Sequence, residues 1–113
     1  MSSPLTTHVL DTARGRPAVG MNVVLHRRGS DGAWLRIAKG TTNAEGRITN
    51  LIEDPLVSGT YRLTFDTGEY FERQSTNTLY PHVEVTFNVA DPAEHYHVPL
   101  LLSPYGFSTY RGT

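Results

Sequence analysis

The sequence predicts an all-β protein, a sandwich of strands carrying one short helix. Two strictly alternating runs, turn-forming clusters at short intervals and a single stretch with helical signals carry that expectation. Within Gly59–Asp66, Tyr61, Leu63 and Phe65 fall on one face and Arg62, Thr64 and Asp66 on the other. Val83–Val89 sets Val83, Val85, Phe87 and Val89 against Glu84, Thr86 and Asn88 in the same way. The clusters Gly15–Gly20, Gly29–Gly32, Asn43–Gly46 and Ser103–Gly106 bring the Gly, Pro, Asn and Asp residues that turns require. Strand runs at this spacing favour a sandwich or barrel over alternating strands and helices.

In chain order, Leu5–Asp11, Met21–Arg28 and Ala33–Gly40 are strand candidates, each rich in β-branched or aromatic residues or partly alternating. A shorter strand starts near Arg47, and Gly59–Asp66 follows it. Directly afterwards, Thr67–Gln74 reads as a helix of about two turns, too short to be stable alone and obliged to lean on the sandwich. Asp66 or Thr67 can cap it, and Glu69 with Arg73 makes the favourable acid-before-base pair four residues apart. Val83–Val89, Glu94–Leu102 and Phe107–Arg111 complete the set of strands.

With 113 residues, one domain is expected. A chain this short leaves much of its surface uncovered on folding, so self-assembly adds useful burial. Ten basic residues against 11 acidic ones give a net charge of −1. That balance provides no electrostatic reason to expect nucleic acid or an anionic membrane as partner. The absence of cysteine excludes disulfides and thiolate metal sites. The opening MSSPLTTHVLD has neither a basic nor an apolar signal region, and no apolar run approaches the roughly 20 residues that span a bilayer. A cytoplasmic location is therefore the expectation.

Chemistry near neutral pH directs attention to histidine. There are five: His8, His26, His82, His95 and His97. His95 and His97 share one face of Glu94–Leu102, while Tyr96, Val98, Leu100 and Leu102 occupy the other and read as core. His97 therefore faces outward, to solvent or to another subunit. Two histidines two apart on a strand can also bind metal, but no cysteine or adjacent carboxylate cluster completes such a site. Glu94 alternates to the opposite face, so no metal is expected. His26 and His82 read as surface residues. Arg47, opening the strand after the Asn43–Gly46 turn, is on its own an ordinary solvated arginine. The tail Tyr110-Arg111-Gly112-Thr113 offers a phenol, a fork of donors and a hydroxyl, with Gly112 permitting a tight bend. Chain ends fray unless tied down, so an aromatic and an Arg there point to an end held by packing. No phosphate loop, dinucleotide fingerprint, nucleophile elbow or zinc-protease motif is present, and Ser108 reads as a strand or turn residue.

The segment HYHVPLLLSPYGFSTYRGT, from His95 to Thr113, closely resembles the C-terminal signature of 5-hydroxyisourate hydrolases, the enzyme branch of the transthyretin-like family. That signature typically ends in Tyr-Arg-Gly-Ser, and here Thr113 stands in the last place, keeping the hydroxyl while adding a methyl group that stiffens the side chain. THVLDTARGRPAVG, from Thr7 to Gly20, is similar to the family's opening segment, and the likeness extends over essentially the whole chain. The resemblance implies a transthyretin-like sandwich of two four-stranded sheets with one short helix, a single hydrolase domain over residues 1–113. It also implies a homotetramer, a dimer of dimers with active sites in the grooves where dimers meet. The implied reaction is hydrolysis of 5-hydroxyisourate to 2-oxo-4-hydroxy-4-carboxy-5-ureidoimidazoline by opening of a cyclic amide, with no redox change and no cofactor. By the same resemblance His8, Arg47 and His97 are catalytic, Tyr110, Arg111 and Thr113 bind substrate, and His95 is a supporting group. Two rivals stand beside it. Transthyretin itself carries thyroid hormones without chemistry, but it generally lacks the catalytic histidines and the terminal motif. A structural sandwich module of a larger secreted protein is disfavoured by the tail motif and by the missing signal peptide and linkers.

Overall fold

The computed structural model describes residues 3–113; Met1 and Ser2, the start of the expected 1–113 domain, lie outside the described residues. The strands are β1 (Leu5–Asp11), β2 (Arg16–Pro17), β3 (Asn22–Arg28), β4 (Trp34–Thr41), β5 (Arg47–Ile52), β6 (Gly59–Phe65), β7 (Val83–Val89), β8 (Tyr96–Ser103) and β9 (Gly106–Thr109), and helix α1 (Thr67–Glu72) lies between β6 and β7. One sheet runs β2-β1-β8-β9 with β5 also on β1, and the other runs β4-β3-β6-β7.

The alternation in sequence is the alternation in burial. Along β1, Leu5, Thr7, Val9 and Asp11 are buried while Thr6, His8 and Leu10 are not. Tyr96, Val98, Leu100 and Leu102 of β8 join them on the inward face of the same sheet, and Tyr61, Leu63 and Phe65 of β6 meet them from the other. Burial of these apolar surfaces is the main drive for the sandwich. The helix is capped by Asp66, whose carboxylate accepts from the Glu69 amide, and Glu69 pairs with Arg73 at 2.9 Å. Its lean on the sandwich is specific: Tyr70 and Phe71 are buried, and the Tyr70 hydroxyl donates to the fully buried Asp11 carboxylate at 2.8 Å.

One element differs from expectation. β2 was not predicted, because Arg16–Pro17 sits within a turn cluster. Gly15, with φ of 67°, turns the chain back so that Leu10 and Asp11 pair with Pro17 and Arg16. β2 and β5 share a single edge of β1, since β5 pairs with its first half at Leu5, Thr7 and His8. The sheet thus has four strand places, as expected, with the place beside β1 split between two segments. Gly46 fills the gap between them. Its φ is 75°, its carbonyl accepts from the Val9 amide at 2.8 Å, and a Cβ there would stand 2.6 Å from the Val9 carbonyl oxygen. No other residue type fits that close approach without strain.

Candidate active site

Three registers assemble the site on the outward face of the first sheet. Antiparallel pairing places His8 of β1 opposite Arg47 of β5. Parallel pairing places Thr6 of β1 opposite His97 of β8, and an isolated bridge places Gly112 of the tail on the other side of His97. Laterally paired residues share a face, as do residues two apart, so Thr6, His8, Arg47 and His97 all project from one side. Arg47 is delivered there by a locked turn: the Asn43 side-chain carbonyl accepts from the backbone amides of Glu45 at 2.9 Å and Arg47 at 3.0 Å.

Thr6, Arg47 and His97, with Thr7, Thr49, His95 and Thr113, line a small cavity of about 190 Å³, and His8 lies next to it, paired with Arg47. Both principal histidines are half-buried, and both have pKa values lowered from 6.5. For His8 the leading cause is desolvation, followed by the Arg47 charge, against which the backbone and carboxylate of Glu45 pull upward. For His97 desolvation again leads, then Arg47, His8 and His95. The result is two neutral imidazoles beside a permanent cation. Neutral imidazole accepts a proton, and the guanidinium supplies donors and positive charge where an oxyanion develops.

The tail closes the cavity on one side. The Gly112 amide donates to the His97 carbonyl at 2.8 Å. Gly112 serves through size rather than through a bend: its φ is not in the left-handed region, but a Cβ would collide with the His97 ring, whose Cγ would lie at 3.2 Å. Arg111 and Tyr110 take a different position. The Arg111 guanidinium pairs with Glu94 at 3.0 Å, donates to the His95 carbonyl at 3.1 Å and stacks 4.4 Å from the centre of the Tyr96 ring. Tyr96 and His97 project to opposite faces of β8, so Arg111 lies on the face away from the imidazoles. Tyr110 and Arg111 line a larger, apolar concavity of about 470 Å³ with Val85, Phe87, Tyr96 and Val98, between the free edges of β7 and β9.

Of the six predicted site residues, the structure thus brings His8, Arg47, His97 and Thr113 together and sets Tyr110 and Arg111 apart from them. The Thr6 hydroxyl joins His95 to the cluster by lying 2.8 Å from His97 Nδ1 and 3.1 Å from His95 Nε2. Thr6 and Thr49 were missed by sequence reasoning. For Thr6 the available signal was its place two residues before His8, hence on the same face. His82 is exposed, whereas His26 is half-buried on the outward face of the second sheet, a partial correction to its reading as a surface residue. Among the described residues no group of three or more His, Asp or Glu side chains is placed to hold a metal ion.

The fold and this cluster define a two-sheet sandwich with a histidine–arginine site on one outward face. The family model described as "HIUase/Transthyretin family" matches residues 5–112, and the chain belongs to that family. It is 45% identical to the 5-hydroxyisourate hydrolase of Salmonella typhi over 99% of this chain and 82% of that protein. It is 44% identical to that of Mus musculus over 99% of this chain and 97% of the other. Among solved structures, sea bream transthyretin in complex with thyroxine superposes with a TM-score of 0.91 at 37% identity, covering 97% of this chain and 95% of the other. The Klebsiella pneumoniae 5-hydroxyisourate hydrolase superposes with a TM-score of 0.86, also at 37% identity, covering 100% of both chains. Backbone shape therefore does not separate a thyroxine-bound transthyretin from a hydrolase within this family. The side chains on β1, β5 and β8 must.

Proposed function

We propose that the protein hydrolyses 5-hydroxyisourate, opening the cyclic amide of the six-membered ring to give 2-oxo-4-hydroxy-4-carboxy-5-ureidoimidazoline. The observation that carries this reading is a pair of half-buried histidines with lowered pKa values on either side of Arg47, His97 lining one small cavity with it and His8 paired to it on the neighbouring strand. Identity of 44–45% to hydrolases over nearly the whole chain supports it. A water molecule held between His8 and His97 loses a proton to one imidazole as its oxygen attacks the ring carbonyl. Arg47 stabilises the oxyanion of the tetrahedral intermediate. Collapse of that intermediate breaks the carbon–nitrogen bond, and the imidazolium returns its proton to the departing nitrogen. Thr113 lines the cavity, and its hydroxyl orients water or substrate. Every step is acid–base chemistry that these side chains can supply, and the proposed reaction uses no cofactor.

Arg111 holds the tail from the opposite face, so we assign its part in substrate binding to placing Gly112 and Thr113 beside His97. Tyr110, 56% exposed, serves the substrate groove of the assembled protein. We propose that this single domain acts as a cytoplasmic homotetramer, a dimer of dimers. Two features support assembly: β7 and β9 are free sheet edges beside the apolar concavity, and Phe107 and Tyr110 remain 42% and 56% exposed. No described helix is long and apolar enough to cross a membrane. The test is the ultraviolet decay of 5-hydroxyisourate freshly generated from urate by urate oxidase. The protein should accelerate it. A folded tetramer that leaves the decay rate unchanged while binding thyroxine-like ligands would establish the carrier reading instead.

A further inference from the structure

We propose that Thr6 is a positioning residue that decides which ring nitrogen of His97 carries the proton, acting as a hydroxyl bridge between His97 and His95. The inference deepens the hydrolase reading and rests on it.

The bridge is defined by two contacts. Thr6 Oγ1 lies 2.8 Å from His97 Nδ1 and 3.1 Å from His95 Nε2. A hydroxyl has one proton to give and lone pairs to receive, so facing two imidazole nitrogens it donates to one and accepts from the other. Two arrangements satisfy all three groups. In the first, His97 Nδ1–H donates to Thr6 and the Thr6 hydroxyl donates to His95 Nε2, leaving His97 Nε2 bare. In the second, every donor reverses, and His97 Nε2 carries the proton. With Nδ1 occupied by Thr6, Nε2 is the nitrogen left to act on the cavity that His97 lines. The first arrangement makes His97 a general base and the second makes it a donor.

The surroundings select the first. Arg47 from β5, His8 from β1 and His95 are the charged and titratable groups acting on His97, and of these Arg47 is a permanent cation. A lone pair directed toward a guanidinium is favoured over an N–H dipole directed at it. The fixed ring orientation adds to this. Thr6 and His97 are direct partners in the parallel pairing, and Gly112 packs against the other side of the imidazole. Rotation that would exchange the two nitrogens is therefore resisted from both flanks. Thr6 needs no contact with substrate to do this; it acts through His97. The exposed His95 acquires a role as the acceptor that keeps the Thr6 proton turned away from His97.

The test uses the full chain with ¹⁵N-labelled histidine and long-range ¹H–¹⁵N correlation spectra, which distinguish the two tautomers directly. Wild type should show neutral His97 protonated on Nδ1. Thr6→Val, which keeps the β-branch and removes the hydroxyl, should shift His97 toward a mixture. It should also lower kcat about 10-fold with little change in KM, a fraction of the 100-fold or more that a general base contributes. Thr6→Ser should restore both. His95→Ala should also mix the His97 tautomers, because the bridge loses its acceptor. An unmoved His97 tautomer and kcat in Thr6→Val would overturn the inference, as would Thr6→Ser behaving like Thr6→Val, which would reduce Thr6 to a packing residue. The spectra need no substrate. Failure of the hydrolase reading would appear as an inactive wild type with the tautomer assignment intact, whereas failure of this inference would appear as an active wild type whose tautomer ignores Thr6.

Discussion

His97 on the first sheet and His26 on the second occupy comparable surroundings. Each is half-buried on an outward strand face, and each has a pKa lowered first by desolvation and then by a neighbouring arginine. The likeness ends at the geometry. Arg62 beside His26 is turned to other partners, lying 4.4 Å over the Trp34 ring and 3.6 Å from Glu84. Among the described residues His26 Nδ1 is buried without a hydrogen-bond partner, and the charges acting on its ring are those of Arg62, Arg36 and Glu84. His97 has Thr6 on its Nδ1, His8 and Arg47 nearby, the tail against its flank and a cavity in front. A perturbed histidine beside an arginine is therefore not a site in itself. Convergence on a space that can hold a reacting molecule makes it one.

Substitutions at matched positions on the two sheets should break the likeness. His97→Ala should lower turnover of 5-hydroxyisourate about 100-fold or more, while His26→Ala should leave it within the error of the decay assay. Arg47→Met should lower kcat about 100-fold through loss of oxyanion stabilisation. It should also move the acidic limb of the rate profile upward toward pH 6.5, because the Arg47 charge helps hold both imidazoles down. A limb that stays in place would show that desolvation alone sets those values.

Two glycines sharpen the comparison between chemistry and stability. Gly112→Ala pushes a methyl group into the His97 ring and should cost roughly 10-fold in kcat with little change in Tm, through a small displacement of a positioned group. Gly46→Ala meets the Val9 carbonyl at positive φ and should lower stability by about 1–3 kcal/mol, read as a fall in Tm. The smallest effect is shared by both sheets. His8, His26 and His97 have folded pKa values below 6.5, so the unfolded chain takes up protons first as pH falls. Their contribution is fully present above about pH 6.5 and is lost as pH drops below it toward the lowered folded values. Denaturant titrations at several pH values should show that decline, and His26→Gln should weaken it without touching activity.

Much of the fold was legible because the inward face of each strand is dry. Leu5–Asp11 and Val83–Val89 were read to the residue, since one face of each is packed in the core and local alternation records that. The helix was legible for a different reason, the local chemistry of Asp66, Glu69 and Arg73. β2 escaped because it has only two residues, paired with Leu10 and Asp11 across a tight turn whose residues dominate the local signal. The ends of β4 shifted because it is an edge strand with an irregularity opposite Leu25 and His26 and only partial burial. For the site, alternation alone placed His97 outward. That His8 meets Arg47 and Thr6 meets His97 depends on pairing registers between distant segments, which no local pattern encodes. Gly112 was legible as a glycine but not as a contact, since its requirement comes from the His97 ring lying over it.

The account stands most directly on one measurement: the rate of 5-hydroxyisourate decay with His97→Ala, in protein shown to be folded and in the same assembly as wild type. It predicts that wild type accelerates the decay and the variant loses about 100-fold or more of that acceleration. A variant as active as wild type would contradict it, and would remove the outward face of β1, β5 and β8 as the seat of the chemistry.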